Sequence, residues 1–271
     1  SALGFRKEAA PEPQEVPWGT GAAKPVRNTK PNEVVVFLSD IHIPYQDTAL
    51  VASALRLIED VRPDRVVING DVADFFQCSR FNMAEERMEE LQSDIDAANA
   101  FRRSVREAAP NAAIDETEGN HDNRITTYVR KNARAVASLR SLEPRFLFAY
   151  DDLDINVHPG CGFLLRPFFL VKHGTIVRGE AGATAKAELL AAGINGISGH
   201  THRLATYRKS GYGQRQWTEQ GCMCRLDPDY VPGGVPNWTQ GIAVGEFSAS
   251  AFVIHEVPFT DGALRLGLRT Y

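Results

Sequence analysis

The sequence predicts an α/β fold with two facing β-sheets and helices outside them. Three observations lead there. Over the first half, apolar strand-like runs alternate with amphipathic helical stretches. From about Phe146 onward the sequence turns strand-rich. Short clusters of Asp, Asn and His follow several of the apolar runs, and open α/β sheets gather ligands at the carboxyl ends of their strands.

The elements follow in order. Residues 1–32 carry Pro11, Pro13, Pro17, Pro25 and Pro31 among small and charged residues, and read as an extended N-terminal arm. Residues 33–271 read as one domain, since a chain of 271 residues can bury one sizeable core without splitting. Val34–Leu38 is a continuous apolar run suited to a strand buried on both faces. Asp47 is placed to cap a helix running to about Val61, with Val51, Ala54, Leu55 and Ile58 at helical spacing. Arg65–Asn69 is the next strand. Met88, Leu91, Ile95, Ala98, Phe101 and Val105 mark a long packing helix over 84–109, ended by Pro110, with Arg102 and Arg106 on its surface. Ala112–Glu118 is a third strand, and residues 123–139 form a further helix. Strands are then predicted at 155–158, 168–173, 194–198, 204–208, 242–247 and 252–257. A helix at 182–192, stopped by Gly193, interrupts them. Gly211-Tyr-Gly213 reads as a turn between two short strands. Residues 219–241 form a loop of a length more often functional than idle.

Composition narrows the function classes. A formal net charge of -4 excludes a strongly basic nucleic-acid footprint, although a local patch stays open. No run approaches the roughly 18–20 apolar residues of a membrane span. Residues 1–30 lack the apolar core of a secretion signal, so a cytoplasmic location is expected. Four scattered cysteines do not make a disulfide framework. Cys222-Met-Cys224 could be half of a zinc site, but no second pair matches it, and neighbouring strand or turn residues are the plainer reading.

The chemistry lies in five clusters: Asp40-Ile-His42, Gly70-Asp71-Val-Ala-Asp74, Gly119-Asn120-His121-Asp122, His173-Gly174 and Gly199-His200-Thr-His202. Any one histidine alone reads as an ordinary core or surface residue. Five of the seven fall inside these clusters, in a glycine context that admits close approach, and together they read as a metal site. Asp40, His42, Asp71, Asn120, His173, His200 and His202 offer seven nitrogen and oxygen ligands, enough for two divalent ions sharing one residue. On an extended backbone the two-residue spacing in Asp40-Ile-His42 and His200-Thr-His202 puts both side chains on one face. His121, next to Asn120, should diverge from the ions and is the candidate acid for the leaving alkoxide. Asp74 is placed to take its other ring proton. Asp122 reads as a helix-start residue rather than a ligand. Arg124, Arg130, Lys131, Arg134 and Arg140 read as a solvated helix face. Arg124, and Arg178 further on, could also reach substrate phosphate; both stay outside the catalytic set. His158 and His255 receive no role.

The series resembles the calcineurin-like metallophosphoesterase superfamily, whose motifs are D-x-H, G-D-x-x-D, G-N-H-[DE], a lone H and G-H-x-H. All are present in order over residues 40–202, with no ligand replaced. The resemblance implies a four-layer α/β/β/α sandwich of two mixed β-sheets flanked by helices. It implies Asp40, His42, Asp71 and His202 around one metal, and Asp71, Asn120, His173 and His200 around the other, with His121 at the leaving group and Asp74 behind it. The implied cofactors are two divalent ions, Mn²⁺ first, with Fe, Zn or Ni as alternatives. Gly221-Cys-Met-Cys, Tyr230 and Asn237-Trp238-Thr-Gln-Gly241 look similar to bacteriophage-encoded members, which would place the chain in a host cytoplasm.

The expected activity is hydrolysis of nucleotide phosphodiesters, cyclic ones among them, by attack of a metal-bridging hydroxide. A DNA or RNA nuclease of the same superfamily is the alternative, and it needs an open basic groove roughly 10 Å or more across. A protein phosphatase is disfavoured, because Asp74 is followed by Phe75-Phe76 and not by Arg-Gly. A metal-binding module without catalysis would show a missing ligand, and none is missing. The expected partner is a small nucleotide diester, with nucleic acid as the other substrate and no membrane; oligomeric state is not legible.

Overall fold

The structure, a computed structural model, describes residues 21–79, 91–211, 213, 215–227 and 236–271. Most of the expected arm (1–20), the start of the long helix (84–90), Tyr212 of the expected turn and residues 228–235 of the long loop lie outside the described residues.

Two mixed sheets face each other. The larger has eight strands. Its parallel half holds β2 (Glu33–Leu38), β3 (Arg65–Ile68), β4 (Ala113–Thr117) and β5 (Ile155–His158). Its antiparallel half holds β11 (Gly241–Phe247), β12 (Phe252–Thr260), β13 (Ala263–Leu266) and β14 (Arg269–Thr270). The six-stranded sheet runs β1 (Lys24–Pro25), β6 (Phe163–Arg166), β7 (Phe169–Lys172), β8 (Asn195–Ser198), β10 (Arg215–Glu219), β9 (Ala205–Lys209).

Three apolar clusters fill the three interfaces of a four-layer α/β/β/α sandwich. The period-2 geometry of β2 divides its side chains between two of them. Val36 and Leu38 pack with α1 (Thr48–Val61) and α2 (Leu91–Ala108), through Leu57, Ile58, Ile95 and Phe101. Val35 and Phe37 face the second sheet and its Phe163, Phe169 and Ile197. Ala185 and Leu189 of α5 (Ala183–Ala192) cover Trp217 on the far side. Full burial of each such side chain is worth about 1.5–3 kcal/mol. Asp47 caps α1, its carboxylate accepting from Ala49 and Leu50 N–H, and Gly193 ends α5 at φ 70°.

Several expectations need correction. The helix expected over 123–139 is α3 (Arg124–Asn132), followed by 3-10 turns at 134–136 and 140–142. Ala133 leaves helical geometry, and α3 buries only Ile125, so no apolar face sustains a longer helix. α4 (Pro144–Leu147) and the short strands β6, β13 and β14 were not anticipated, being too brief for a periodic pattern. Arg102 is not a surface residue: it is 1% exposed and holds Glu116 through two hydrogen bonds of 2.6 and 2.8 Å. A helical pattern cannot show that a carboxylate on β4 awaits it. Arg106 lies half-buried, donating to the Leu153, Ala112 and Asp154 carbonyls.

Candidate metal centre

Strands β2, β3 and β4 are mutually parallel, as are β7 and β8, so five carboxyl ends meet along one edge. Asp40 and His42 follow β2, Asp71 and Asp74 follow β3, and Asn120 to Asp122 follow β4. His173 follows β7, while His200 and His202 follow β8. The backbone laces the first two loops together: Asp40 N–H donates to Gly70 O, Ile41 N–H to Asp71 O and Ile43 N–H to Val72 O.

Convergence is not achieved on extended backbone, as the two-residue spacing suggested. Asp40, His42, Asp71, His200 and His202 all have φ between 52° and 71°, in the left-handed region. Asp, Asn and His visit that region more readily than other residues carrying a Cβ, at a cost on the order of 1 kcal/mol or more each. Tight turns, not strand alternation, aim the side chains. Gly119 serves the same packing, since a Cβ there would collide with the Asp71 backbone nitrogen and carboxylate.

The side chains meet in two neighbouring groups, Asp40 with His42 and His202, and Asp71 with His173 and His200. Within the first, His202 Nε2 is 3.2 Å from Asp40 Oδ1 and 3.1 Å from His42 Nε2. Asp71 Oδ2 sits between the groups, 3.2 Å from His173 Nε2 and 3.7 Å from His42 Nε2. Its Oδ1 is held by the His121 N–H at 2.8 Å. Outer partners turn Nε2 of three imidazoles inward by occupying Nδ1: Asp74 for His42 (3.3 Å), the Asn69 carbonyl for His173 (2.7 Å) and the Cys224 thiol for His202 (4.0 Å). Asn120 Oδ1 is shielded from water and has no hydrogen-bond partner among the described residues. A buried carbonyl oxygen left this way is costly, and a cation would satisfy it. This donor set of imidazole nitrogens, carboxylates and one amide oxygen fits divalent ions. The residues that could hold them are those two groups with Asn120.

Electrostatics agree. Burial alone would raise Asp40, Asp71 and Asp74, yet the neighbouring imidazoles hold all three below the usual carboxylate range. Burial would likewise lower His173 and His202, but the Asp71 and Asp40 charges push each up to about 9. Burial and the His173 charge push His200 down to about 4. The carboxylates therefore draw positive charge into the cluster, as protons or as metal.

His121 stands beside the groups, its Nε2 3.9 Å from Asp71 Oδ2 and its Nδ1 3.1 Å from Asp74 Oδ2. Burial, aided by the His42 charge, lowers its pKa below the ordinary value despite nearby Asp71 and Asp74. Arg124, the first residue of α3, donates through Nη1 to Asp74 O and Oδ1 and through Nη2 to His121 Nε2. With Nε2 accepting, the ring proton lies on Nδ1 and is given to Asp74.

Asp122 does not start a helix; Asn123 occupies that position. Its buried carboxylate accepts from the Gly119, Asp71, Val72 and Ala73 backbone N–H groups at 2.7–3.4 Å, tying the β3 and β4 loops together. Gly119 is a near neighbour, but the other three donors lie about 50 residues away in sequence, so no local signal announces them. Arg178 is exposed and folds back onto the Val177 carbonyl. His158 bonds Asp115 and His255 bonds Glu246, both away from the centre. Cys222 and Cys224 are buried beside His202, a placement their sequence did not reveal.

No family model matches the chain. The chain is similar to the gene 54 protein of Mycobacterium phage L5, with 28% identity over 88% of this chain and 98% of that protein. The gene 54 protein of Mycobacterium phage D29 is 27% identical over 84% of this chain and 94% of its own length. Among solved structures, vacuolar protein sorting 29 from Cryptosporidium parvum superposes with a TM-score of 0.51 at 15% identity, covering 89% of this chain and 99% of that one. That likeness extends over the whole sandwich and concerns the fold.

Proposed function

We propose that the chain is a two-metal phosphodiesterase acting on small nucleotide diesters, cyclic nucleotides among them, with Mn²⁺ as the working ion. What carries the reading is the position of Asp71 Oδ2, within 3.2–3.9 Å of imidazole nitrogens from both groups and from His121. One ion would be held by Asp40, His42, Asp71 and His202, the other by Asp71, Asn120, His173 and His200. Such ions neutralise phosphoryl charge and make water a nucleophile near neutral pH. The protein's own part is orientation and proton handling. Asp74 fixes His42 and His121 together, and His121 Nε2 would take up the proton released by the attacking water and pass it to the leaving alkoxide. The phage relatives support a phage origin, and with it action in a host cytoplasm. No described helix is long and apolar enough to cross a membrane.

A nuclease is the second reading. Arg130, Lys131, Arg134 and Arg140 are exposed along and beyond α3, which begins at the centre, and Tyr128 among them is 45% exposed. Such a strip suits a phosphate backbone and a stacked base.

The test is a panel of 2′,3′-cyclic, 3′,5′-cyclic and aryl phosphodiesters with Mn²⁺, run beside single- and double-stranded DNA at two salt concentrations. Turnover of small diesters, insensitive to salt, is expected. Salt-dependent cleavage of DNA alone would favour the nuclease, and two bound ions with no turnover of either would leave a metal-binding module. His121→Ala is expected to keep both ions and to lose about 10²–10⁴ in kcat, most with poor leaving groups.

A further inference from the structure

We infer that Arg124 is a substrate-binding residue that grips a non-bridging phosphoryl oxygen, an inference that rests on the phosphoesterase reading. Four observations bear on it. The Arg124 side chain is 18% exposed, so it reaches the mouth of the centre without being sealed in. Its Nη2 is 3.1 Å from His121 Nε2, and that nitrogen is 3.9 Å from Asp71 Oδ2, so the guanidinium stands one side chain from the shared carboxylate. Its bonds leave donors over: Nη1 is committed to Asp74, whereas Nε and the second hydrogen of Nη2 have no acceptor among the described residues. Finally, it stands against local preference. The first turn of α3 contains no acidic residue, and a helix start favours negative charge, not a guanidinium.

The bond to His121 is the weakest-matched of the set, because it sets a cation against a neutral ring nitrogen. A phosphoryl oxygen is a stronger acceptor and accepts the guanidinium fork in a charge-assisted bond. With Nη1 still anchored on Asp74, a small swing of Nη2 would exchange one acceptor for the other. The same swing frees the His121 Nε2 lone pair, which can then take up the attacking water's proton and carry it to the leaving group. Arg124 would thus tie substrate occupancy to access to the acid. Lysine, a point charge without the fork, could keep attraction for the anion but not the simultaneous hold on Asp74.

Arg124→Ala, Arg124→Gln and Arg124→Lys, each loaded with Mn²⁺ and checked for metal content, test the inference in two ways. Inorganic phosphate binding by calorimetry should weaken about 10- to 100-fold in the alanine and glutamine variants, the scale of one charged hydrogen bond, with partial recovery in lysine. On an aryl phosphodiester the alanine variant should lose kcat/KM mainly through a raised KM, with two ions retained. Wild-type phosphate affinity and KM in Arg124→Ala would overturn the inference. So would loss of phosphate binding that merely tracks loss of metal in all three variants, since Arg124 would then be a brace for Asp74. If the wild type turns over no diester yet binds phosphate through Arg124, the phosphodiesterase reading fails and the grip stands. If the Mn²⁺-loaded wild type binds no phosphate, the grip fails. Should Arg124→Ala not fold, the glutamine and lysine variants decide.

Discussion

Two buried charge clusters sit toward opposite ends of the same strands, and they are balanced differently. Toward the starts of β2 and β3, Arg65 bonds Glu33 (2.8 Å) and Asp115, Arg166 takes the other Glu33 oxygen (2.9 Å), and His158 meets Asp115 (2.7 Å). Past the ends of those strands, Asp40, Asp71 and Asp74 face imidazoles, with the Arg124 guanidinium at the rim. Arginine is charged at every working pH, so the first cluster is complete as folded. Imidazole carries charge only by taking a proton, so the second completes itself from solution. Buried carboxylates matched by guanidinium make structure, while carboxylates matched by imidazole make a place for exchangeable cations.

The largest expected effect tests the second cluster at its middle. Asp71→Asn should lower metal content from two ions to one or none and reduce turnover by about 10³-fold, the scale of removing a main electrostatic group from an organised site. Metal analysis and kcat on an aryl phosphodiester measure this; two retained ions would remove Asp71 from the shared position. Next comes Arg65→Ala, which leaves Glu33 and Asp115 buried without their guanidinium. A loss of about 3–5 kcal/mol in urea unfolding is expected, with metal stoichiometry unchanged in the protein that stays folded. A loss below about 1 kcal/mol would mean that cluster is not electrically complete.

The pH dependence sharpens the contrast at a smaller scale. Burial opposes, but the Asp71 and Asp40 charges raise His173 and His202 to about 9, above the ordinary value of about 6.5. Raised histidines stabilise the metal-free protein in full below about pH 6.5, and that contribution is lost as pH rises through about 9. Metal must displace the same protons, so Mn²⁺ affinity should climb over that interval and level off above it. Unfolding of metal-free protein and Mn²⁺ calorimetry in buffers of different ionisation enthalpy follow both trends; an affinity flat with pH would break the comparison. The smallest effect belongs to the rim of the first cluster, where His158→Ala should cost about 1 kcal/mol and leave Mn²⁺ binding untouched.

What was legible in the sequence follows the range of the physics. The Asp47 cap, the helical stripe of α1, that of α2 over its described residues and the continuous apolar run of β2 are local patterns, and each stands where expected. The Asp, Asn and His clusters could be found because each occupies a few consecutive residues after a strand. The roles of Asp122, Arg102 and Cys224 were not legible because their decisive partners lie elsewhere: three backbone N–H groups after β3, Glu116 and His202. The left-handed backbone at five of the cluster residues was hidden as well, since an i,i+2 spacing fits a strand and a tight turn equally.

By itself the sequence determined the layer order, the strands that end in metal-binding residue types and the chemical nature of those residues. Hydrophobic period and residue type are properties of neighbours along the chain. Only the tertiary structure decided which carboxylate meets which cation. It seats His42 against His202 across 160 residues, gives Arg65 to Glu33 and Asp115, and, among the described residues, places no such guanidinium on Asp40 or Asp71. Hydrogen bonds and close ion pairs act over about 3–4 Å, and strand pairing, not sequence distance, sets which groups come that near.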